Sequence, residues 1–396
     1  MAKPPRPDWS ATTRAIRAGA DAGRETVHTV GPPIQRASTV LLDKAADLYA
    51  PGKTSYGRPN ALPTHTALIE AISELEGAAG TELYPCGLGS ITGPMLALLK
   101  AGDEVVVVDC AYAPIRRFCD GFLKRYGVVT RYVPSRATVD EVMAAATPAT
   151  RMIVLESPGS LTFEMQDVPA IAAAARARGI LTLIDNTYGA GFLFKPLAHG
   201  VDVSCQALTK YVGGHSDVLM GSAAVATREL FDRLRACSRD LGSTVSPDDA
   251  YVMLRGLRTL PTRIKAHGEG GLKVADWLAQ QPEVARVIHP GRAGHPDHAL
   301  FKRDFTGPNG LFSLVLKPVS EPGVLAFLDA LELFGLGFSW GGFESLAIHC
   351  DPQVRRTAKP WSAEGPLIRL HVGLEDPDDL ITDLRRGLDA LAPHAA

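Results

Sequence analysis

The sequence predicts an α/β protein: a large domain built on a mostly parallel sheet, followed by a smaller C-terminal α+β domain. Three observations lead there. Between residues 64 and 210, short apolar runs alternate with longer amphipathic segments, and glycine or proline marks most changes of period. Strands alternating with helices need crossover connections, which make the strands parallel and bury both faces of the sheet. Near residue 256 that rhythm gives way to a different one, and 396 residues are too many for one simple core.

Residues 1–60, with PPRP, GPP and PGKTSYGRPN, read as an irregular arm lying over another surface. Residues 61–255 form the large domain in this reading, and 256–396 the smaller one. THTALIEAISELEG (64–77) has apolar residues at helical spacing and stops at Gly77. TELYPCG is a short strand closing at a glycine, EVVVVD (104–109) a buried strand, and APIRRFCDGFLKRYG a helix ending at Gly127. VVTRYVP is a further strand, and TVDE (138–141) is a capping box that opens a helix. RMIVLESP (151–158) and ILTLIDN (180–186) are buried strands, separated by the helix PAIAAAARARG with proline at its start and glycine at its end. VDVSCQAL leads into Lys210. In the smaller domain, helical LKVADWLAQQ precedes the strand GLFSLVL (310–316), the helix VLAFLDAL, the strand LIRLHVGLE and the helix DLITDLRRGLDAL. A glycine-rich link, FSWGGFES (338–345), lies among them.

Composition excludes several classes. Basic residues number 41 and acidic ones 43, with no block of like charge, which argues against a nucleic-acid surface or an acidic tail. No apolar stretch approaches a membrane span and the N-terminus lacks a signal-type core, so a soluble cytoplasmic protein is expected. The six cysteines form no C-x-x-C pair, which fits reduced thiols better than disulfides or structural zinc. HPGRAGHPDH gathers His289, His295 and His298 but is full of glycine and proline; it reads as an exposed loop, with no metal site expected.

Ligands of open parallel sheets gather beyond the carboxyl ends of the strands, so polar residues there are informative. PCGLGS (85–90) precedes an apolar helix-like segment, and its backbone amides, exposed by Gly87, suit a phosphate; taken alone, a glycine–serine turn before a helix is more often only a turn. Asp185 ends a buried strand, where it either caps a turn or holds a protonated ring nitrogen. Tyr112 is either a rim aromatic or a surface on which a ring stacks. Lys210 ends the next run, either snorkelling to water or held in a cleft as a Schiff-base amine. A phosphate nest, a stacking ring, an acid for a ring nitrogen and an amine are what pyridoxal 5′-phosphate (PLP) requires.

The stretches YGRP, AYAP, ESPGSLT, IDNTYGAG, TKYVGGHSD, SWGGFES and LIRLHVGLED resemble, in order, the Cys/Met-metabolism family of PLP-dependent enzymes. The likeness runs from about Arg14 to about Leu391 and is strongest to its bacterial cystathionine β-lyase branch. The resemblance implies an aspartate-aminotransferase-like fold with a seven-stranded-type sheet. It implies that Lys210 carries the cofactor as a Schiff base and moves the substrate α-proton, and that Asp185 partners the ring nitrogen. Tyr112 is expected to stack on the ring, Gly87 and Leu88 to bind phosphate through backbone amides, and Thr209 to add a hydroxyl. Arg369 is expected to hold the substrate α-carboxylate bidentately and Ser339 to steer the lysine amine. Tyr56 and Arg58 are expected to reach the phosphate of a neighbouring subunit, in a dimer that pairs into a tetramer.

The sequence departs from the family in three places. Ala207 stands where a D-S-x-T-K pattern often has serine, YGRPNALPTH is one residue longer than the usual arm segment, and GLGS replaces a run of small residues. The family covers β-elimination, γ-elimination and γ-replacement on one scaffold. Trp340, with GHSD, SPGSLTFE and RDFTG, favours the β-lyase branch, and so cleavage of L-cystathionine to homocysteine, pyruvate and ammonia in methionine biosynthesis. A lyase for other thioethers and a catalytically silent homologue are the competing expectations.

Overall fold

The structure, a computed structural model, describes residues 8–19, 29–50, 56–58 and 60–394. Residues 51–55 and 59 of the arm segment PGKTSYGRPN, and the opening residues 1–7, lie outside the described ones.

The large sheet has seven strands: β1 (Gly80–Tyr84), β2 (Glu104–Val108), β3 (Val129–Val133), β4 (Thr150–Glu156), β5 (Leu181–Asp185), β6 (Val203–Ala207) and β7 (Gly221–Val225). Their spatial order is β1-β7-β6-β5-β4-β2-β3. The pairs β3–β2, β2–β4, β4–β5 and β5–β6 are parallel, while β7 runs antiparallel to both β6 and β1, so β7 alone is reversed. The valine run of β2 is fully buried, as a strand covered on both faces must be. Helices Pro63–Glu76, Gly87–Leu98 and Val168–Ala177 are among those that cover the sheet.

Strand β7 was not foreseen, and its composition says why. GSAAV carries no large side chain and no alternation, yet all of it is buried. A Cβ on Gly221 would lie 2.5 Å from the Cys86 carbonyl and 2.8 Å from Ser90 Cβ, so close approach to the start of helix Gly87–Leu98 demands small residues there.

A second sheet of five strands, ordered β10-β11-β12-β9-β8, comprises β8 (Val284–Ile288), β9 (Leu311–Leu316), β10 (Gly335–Leu336), β11 (Leu346–His349) and β12 (Leu367–His371). Only β9 and β12, buried along their whole length, were expected as strands. The FSWGGFES link joins β10 to β11. Leu311, Val315, Ile348 and Leu367 of this sheet pack into the core of the first, so the edge between the two sheets is apolar and continuous.

HPGRAGHPDH is not simply an exposed loop. His289 is fully buried, with Nδ1 accepting from the Gly291 N–H at 3.0 Å and Nε2 3.3 Å from the Asn309 carbonyl; His295 is also buried. Imidazoles that satisfy backbone groups can enter a core in which glycine and proline make the turns. Among the described residues, no helix is long and apolar enough to cross a membrane.

Candidate active site

Five strands of common direction carry their polar ends to one edge of the large sheet. Residues after β1 (Gly87, Leu88), β2 (Tyr112), β4 (Glu156), β5 (Asp185) and β6 (Thr209, Lys210) meet there in a cavity of about 1020 Å³. The second sheet closes it with Trp340 and Arg369. Chain direction alone gathers residues that are far apart in sequence.

Lys210 is held in this cavity rather than snorkelling to water. Its Nζ donates to Ser339 Oγ at 2.8 Å and lies 5.5 Å from the centre of the Trp340 ring. Burial, helped by the Arg369 charge, pushes its pKa down to about 8, against the opposing pull of Asp185. An amine poised there can both take and give a proton near neutrality.

Asp185 Oδ1 accepts from the Thr187 backbone N–H at 3.0 Å and from the Thr187 hydroxyl at 2.5 Å. The same hydroxyl accepts from the Ala207 N–H at 2.9 Å, tying the end of β5 to the end of β6. Burial raises the Asp185 pKa, and the two Thr187 donors and Lys210 oppose that rise. Tyr112, half exposed, ends the turn before helix Ala113–Arg117. Its backbone N–H donates at 2.6 Å to Glu156 Oε2, and burial followed by the nearby Asp185 charge raises its phenol pKa.

Gly87 opens helix Gly87–Leu98, whose first-turn amides have no intrahelical acceptors. A Cβ on Gly87 would meet Ala207 Cβ at 2.4 Å, so glycine is required for the start of this helix to lie against the end of β6. Thr209 Oγ1 donates to the Met220 carbonyl at 3.2 Å and accepts from the Met220 N–H at 2.9 Å. Arg369 is buried; its Nη2 donates to the carbonyls of Phe338 (2.9 Å) and Ser339 (3.0 Å), while its Nε finds no partner among the described residues.

Tyr56 and Arg58 are not brought to this cavity within the chain. Tyr56 is half exposed and bridges Thr39, and Arg58 Nη1 donates to the Arg239 carbonyl at 2.6 Å. His215 uses Nδ1 locally, 2.8 Å from the Gly213 carbonyl. Sequence reasoning missed Glu156, Thr187 and His371. Glu156 was findable, since it ends an apolar strand just as Asp185 does. Thr187 was findable too, as the donor two residues after Asp185 in a turn of Asx type, whereas His371 bonds the Gly341–Gly342 backbone, distant in sequence, for which no local signal exists.

The donor set fits PLP. A partly buried amine, a carboxylate braced on one oxygen, an aromatic face, the Gly87 and Leu88 amides at a helix start that admits close approach, and an orphaned guanidinium N–H share one cavity.

Comparison with known proteins agrees. The Cys/Met metabolism PLP-dependent enzyme family matches residues 12–389. The cystathionine β-lyase of Escherichia coli (strain K12) is 44% identical over 93% of this chain and 96% of its own length. The cystathionine γ-lyase of Mus musculus is 36% identical over 96% of each chain. Among solved structures, the cystathionine γ-synthase of Xanthomonas oryzae pv. oryzae in complex with aminoacrylate and cysteine superposes with a TM-score of 0.90 at 33% identity, over 97% of this chain and 99% of that one. With motifs, fold and cavity in accord, the chain belongs to the Cys/Met metabolism family of PLP-dependent enzymes.

Proposed function

We propose that the chain is a PLP-dependent carbon–sulfur β-lyase that converts L-cystathionine and water to homocysteine, pyruvate and ammonia, a step of methionine biosynthesis. The observation that carries this reading is the Lys210–Ser339–Trp340 cluster: the proton-carrying amine is bonded to one residue of the SWGG loop and lies beneath the next. The higher identity to the E. coli β-lyase than to the mouse γ-lyase, 44% against 36%, supports it.

When bound, PLP supplies an electron sink conjugated to the substrate α-carbon. The chain's own residues do the rest. The Gly87 and Leu88 amides would hold the phosphate, and the Thr209 hydroxyl, which donates to the Met220 carbonyl at 3.2 Å, would add a third donor. Asp185, braced by Thr187, would keep the ring nitrogen protonated, and Tyr112 would offer its aromatic face to the ring. Arg369 takes the α-carboxylate with its unused Nε–H and the remainder of its fork. Lys210 Nζ removes the α-proton, the Cβ–S bond breaks with the electron pair leaving on sulfur, and Lys210 returns a proton to the departing thiolate. Trp340 borders the space in which the thioether lies.

Residues 1–60 act as an arm, 61–255 as the cofactor-binding domain and 256–396 as the second domain. Tyr56 and Arg58 complete the phosphate site of a neighbouring subunit, in a dimer that pairs into a tetramer. Exposure of Val30 (87%), Leu41 (90%) and Tyr49 (87%) on the arm supports its lying on another chain.

Incubation of the purified enzyme with L-cystathionine is expected to release homocysteine and pyruvate. Release of cysteine and 2-oxobutyrate instead would overturn the β-lyase reading. Lys210→Ala is expected to abolish turnover and to remove the visible absorbance band of lysine-bound cofactor.

A further inference from the structure

Arg369 and His371 stand two residues apart on β12 and so share one face of its sheet. Both reach the same loop. Arg369 Nη2 bonds the carbonyls of Phe338 and Ser339 at the beginning of the loop. His371 Nε2 lies 3.0 Å from the Gly341 N–H and 3.1 Å from the Gly342 carbonyl at its far side. With its proton on Nδ1 the ring accepts from Gly341; with the proton on Nε2 it donates to Gly342. Either tautomer clamps the loop, and between the two clamps lie Ser339 and Trp340.

The clamp sits against the lysine itself. Gly341 has φ +83°, and a Cβ there would fall 2.7 Å from the Tyr211 nitrogen and 2.8 Å from the Lys210 carbonyl carbon. His371 is fully buried and packs edge-on against the Tyr211 ring, with centroids 5.9 Å apart. The His267 imidazole lies 5.2 Å beyond it. Burial, followed by the neighbouring His267, Arg369 and Lys210, pushes the His371 pKa down to about 3 and so keeps the ring neutral, with the Gly342 carbonyl opposing. A buried imidazole in contact with the loop and with the residue after Lys210 has no place in the mechanism so far.

We infer that His371 is a positioning residue for proton transfer: by fixing the Gly341–Gly342 backbone it sets the loop that presents Ser339 Oγ to Lys210 Nζ. The inference rests on reading Lys210 as the proton carrier. Loosening the clamp lets the SWGG loop drift from the Lys210 backbone. The 2.8 Å bond that orients the amine is then no longer held.

Kinetics of His371→Leu, His371→Gln, Ser339→Ala and the Ser339→Ala/His371→Leu double variant test this, on a thioether that the wild-type holoenzyme turns over. Cofactor content is read from absorbance. His371→Leu is expected to lower kcat about tenfold at full cofactor content, with KM within about threefold. His371→Gln, whose amide reaches the place of Nε2, is expected to recover to within about threefold of wild type. In the Ser339→Ala background, His371→Leu is expected to cost less than about twofold more, because both changes break the same connection. A His371→Leu kcat within about twofold of wild type overturns the inference. So do losses that multiply in the double variant, or a Gln variant no better than Leu. If His371→Leu does not fold, His371→Asn replaces it; its shorter amide falls short of Gly341, and the same outcomes decide. All figures are ratios to wild type on one substrate. A wild type that makes 2-oxobutyrate would therefore overturn the β-lyase reading and leave this one standing.

Discussion

Glu156 and Asp185 end adjacent parallel strands in register, Glu156 opposite Asp185. Both are pushed toward protonation, Glu156 by burial and then by the Asp185 charge, Asp185 by burial. Two such neighbours do not both ionise cheaply, and the hydrogen bonds decide which one does. Asp185 has two Thr187 donors beside Lys210, and Glu156 has one amide, from Tyr112. Glu156 therefore keeps the proton and Asp185 the charge. Glu156→Gln, neutral and still an acceptor, is expected to leave kcat/KM within about threefold, whereas Asp185→Asn lowers it on the order of a hundredfold or more. A reversed order in the measured rates would undo the assignment. Burial also raises Glu76 and Glu82 to about 7 from the usual 4.5. Because the folded pKa is the higher one, their protonated forms favour the fold below pH 4.5, and that contribution is lost as pH rises through about 7. Thermal scans should show stability falling across that window. Glu76→Gln should flatten the fall by on the order of 3 kcal/mol; an unchanged slope contradicts the assignment. Lys210 and Asp185 were legible as polar residues closing apolar runs. Glu156 had the same signature, but its importance lies in a register that sequence does not display.

At the scale of elements, local chemistry explains what was legible. The TVDE box forms as expected: Thr138 Oγ1 accepts from the Glu141 N–H at 3.3 Å, and Glu141 Oε2 accepts from the Thr138 N–H at 2.7 Å. It opens helix Val139–Ala145, too short at seven residues to persist on propensity alone. Thr138→Ala is expected to cost about 1 kcal/mol, read as a lower urea midpoint at unchanged slope. A shift indistinguishable from zero would mean that tertiary packing alone holds this helix. β2, β4 and β5 announced themselves as apolar runs between turn residues. β7 did not, because contact with helix Gly87–Leu98 limits it to small residues. β10 has only two residues, both exposed, and β8 is half solvated, so neither presents a core pattern.

For the whole molecule, the sequence motifs named the candidate site residues, while the sheet direction explains why most of them meet in one cavity. What the single chain leaves outside its own cavity is the pair Tyr56 and Arg58, on an arm with exposed Leu41 and Tyr49. If these residues serve the neighbouring subunit, defects on the two sides of the site must complement. Lys210→Ala lacks the amine but carries an intact arm, whereas Arg58→Ala has the amine and a defective arm. Mixed and allowed to exchange, the two give hybrid dimers in which one site has both defects and the other has none. At equal proportions half the dimers are hybrids, so activity should rise to about a quarter of wild type, well above the mean of the separate variants. The control is each variant taken through the same exchange alone. Activity that stays at the mean of the two, in a mixture shown by mass to contain hybrids, would place Arg58 in its own chain's site or in none. The shared-site dimer would then fall, while the assignment of Lys210 would stand.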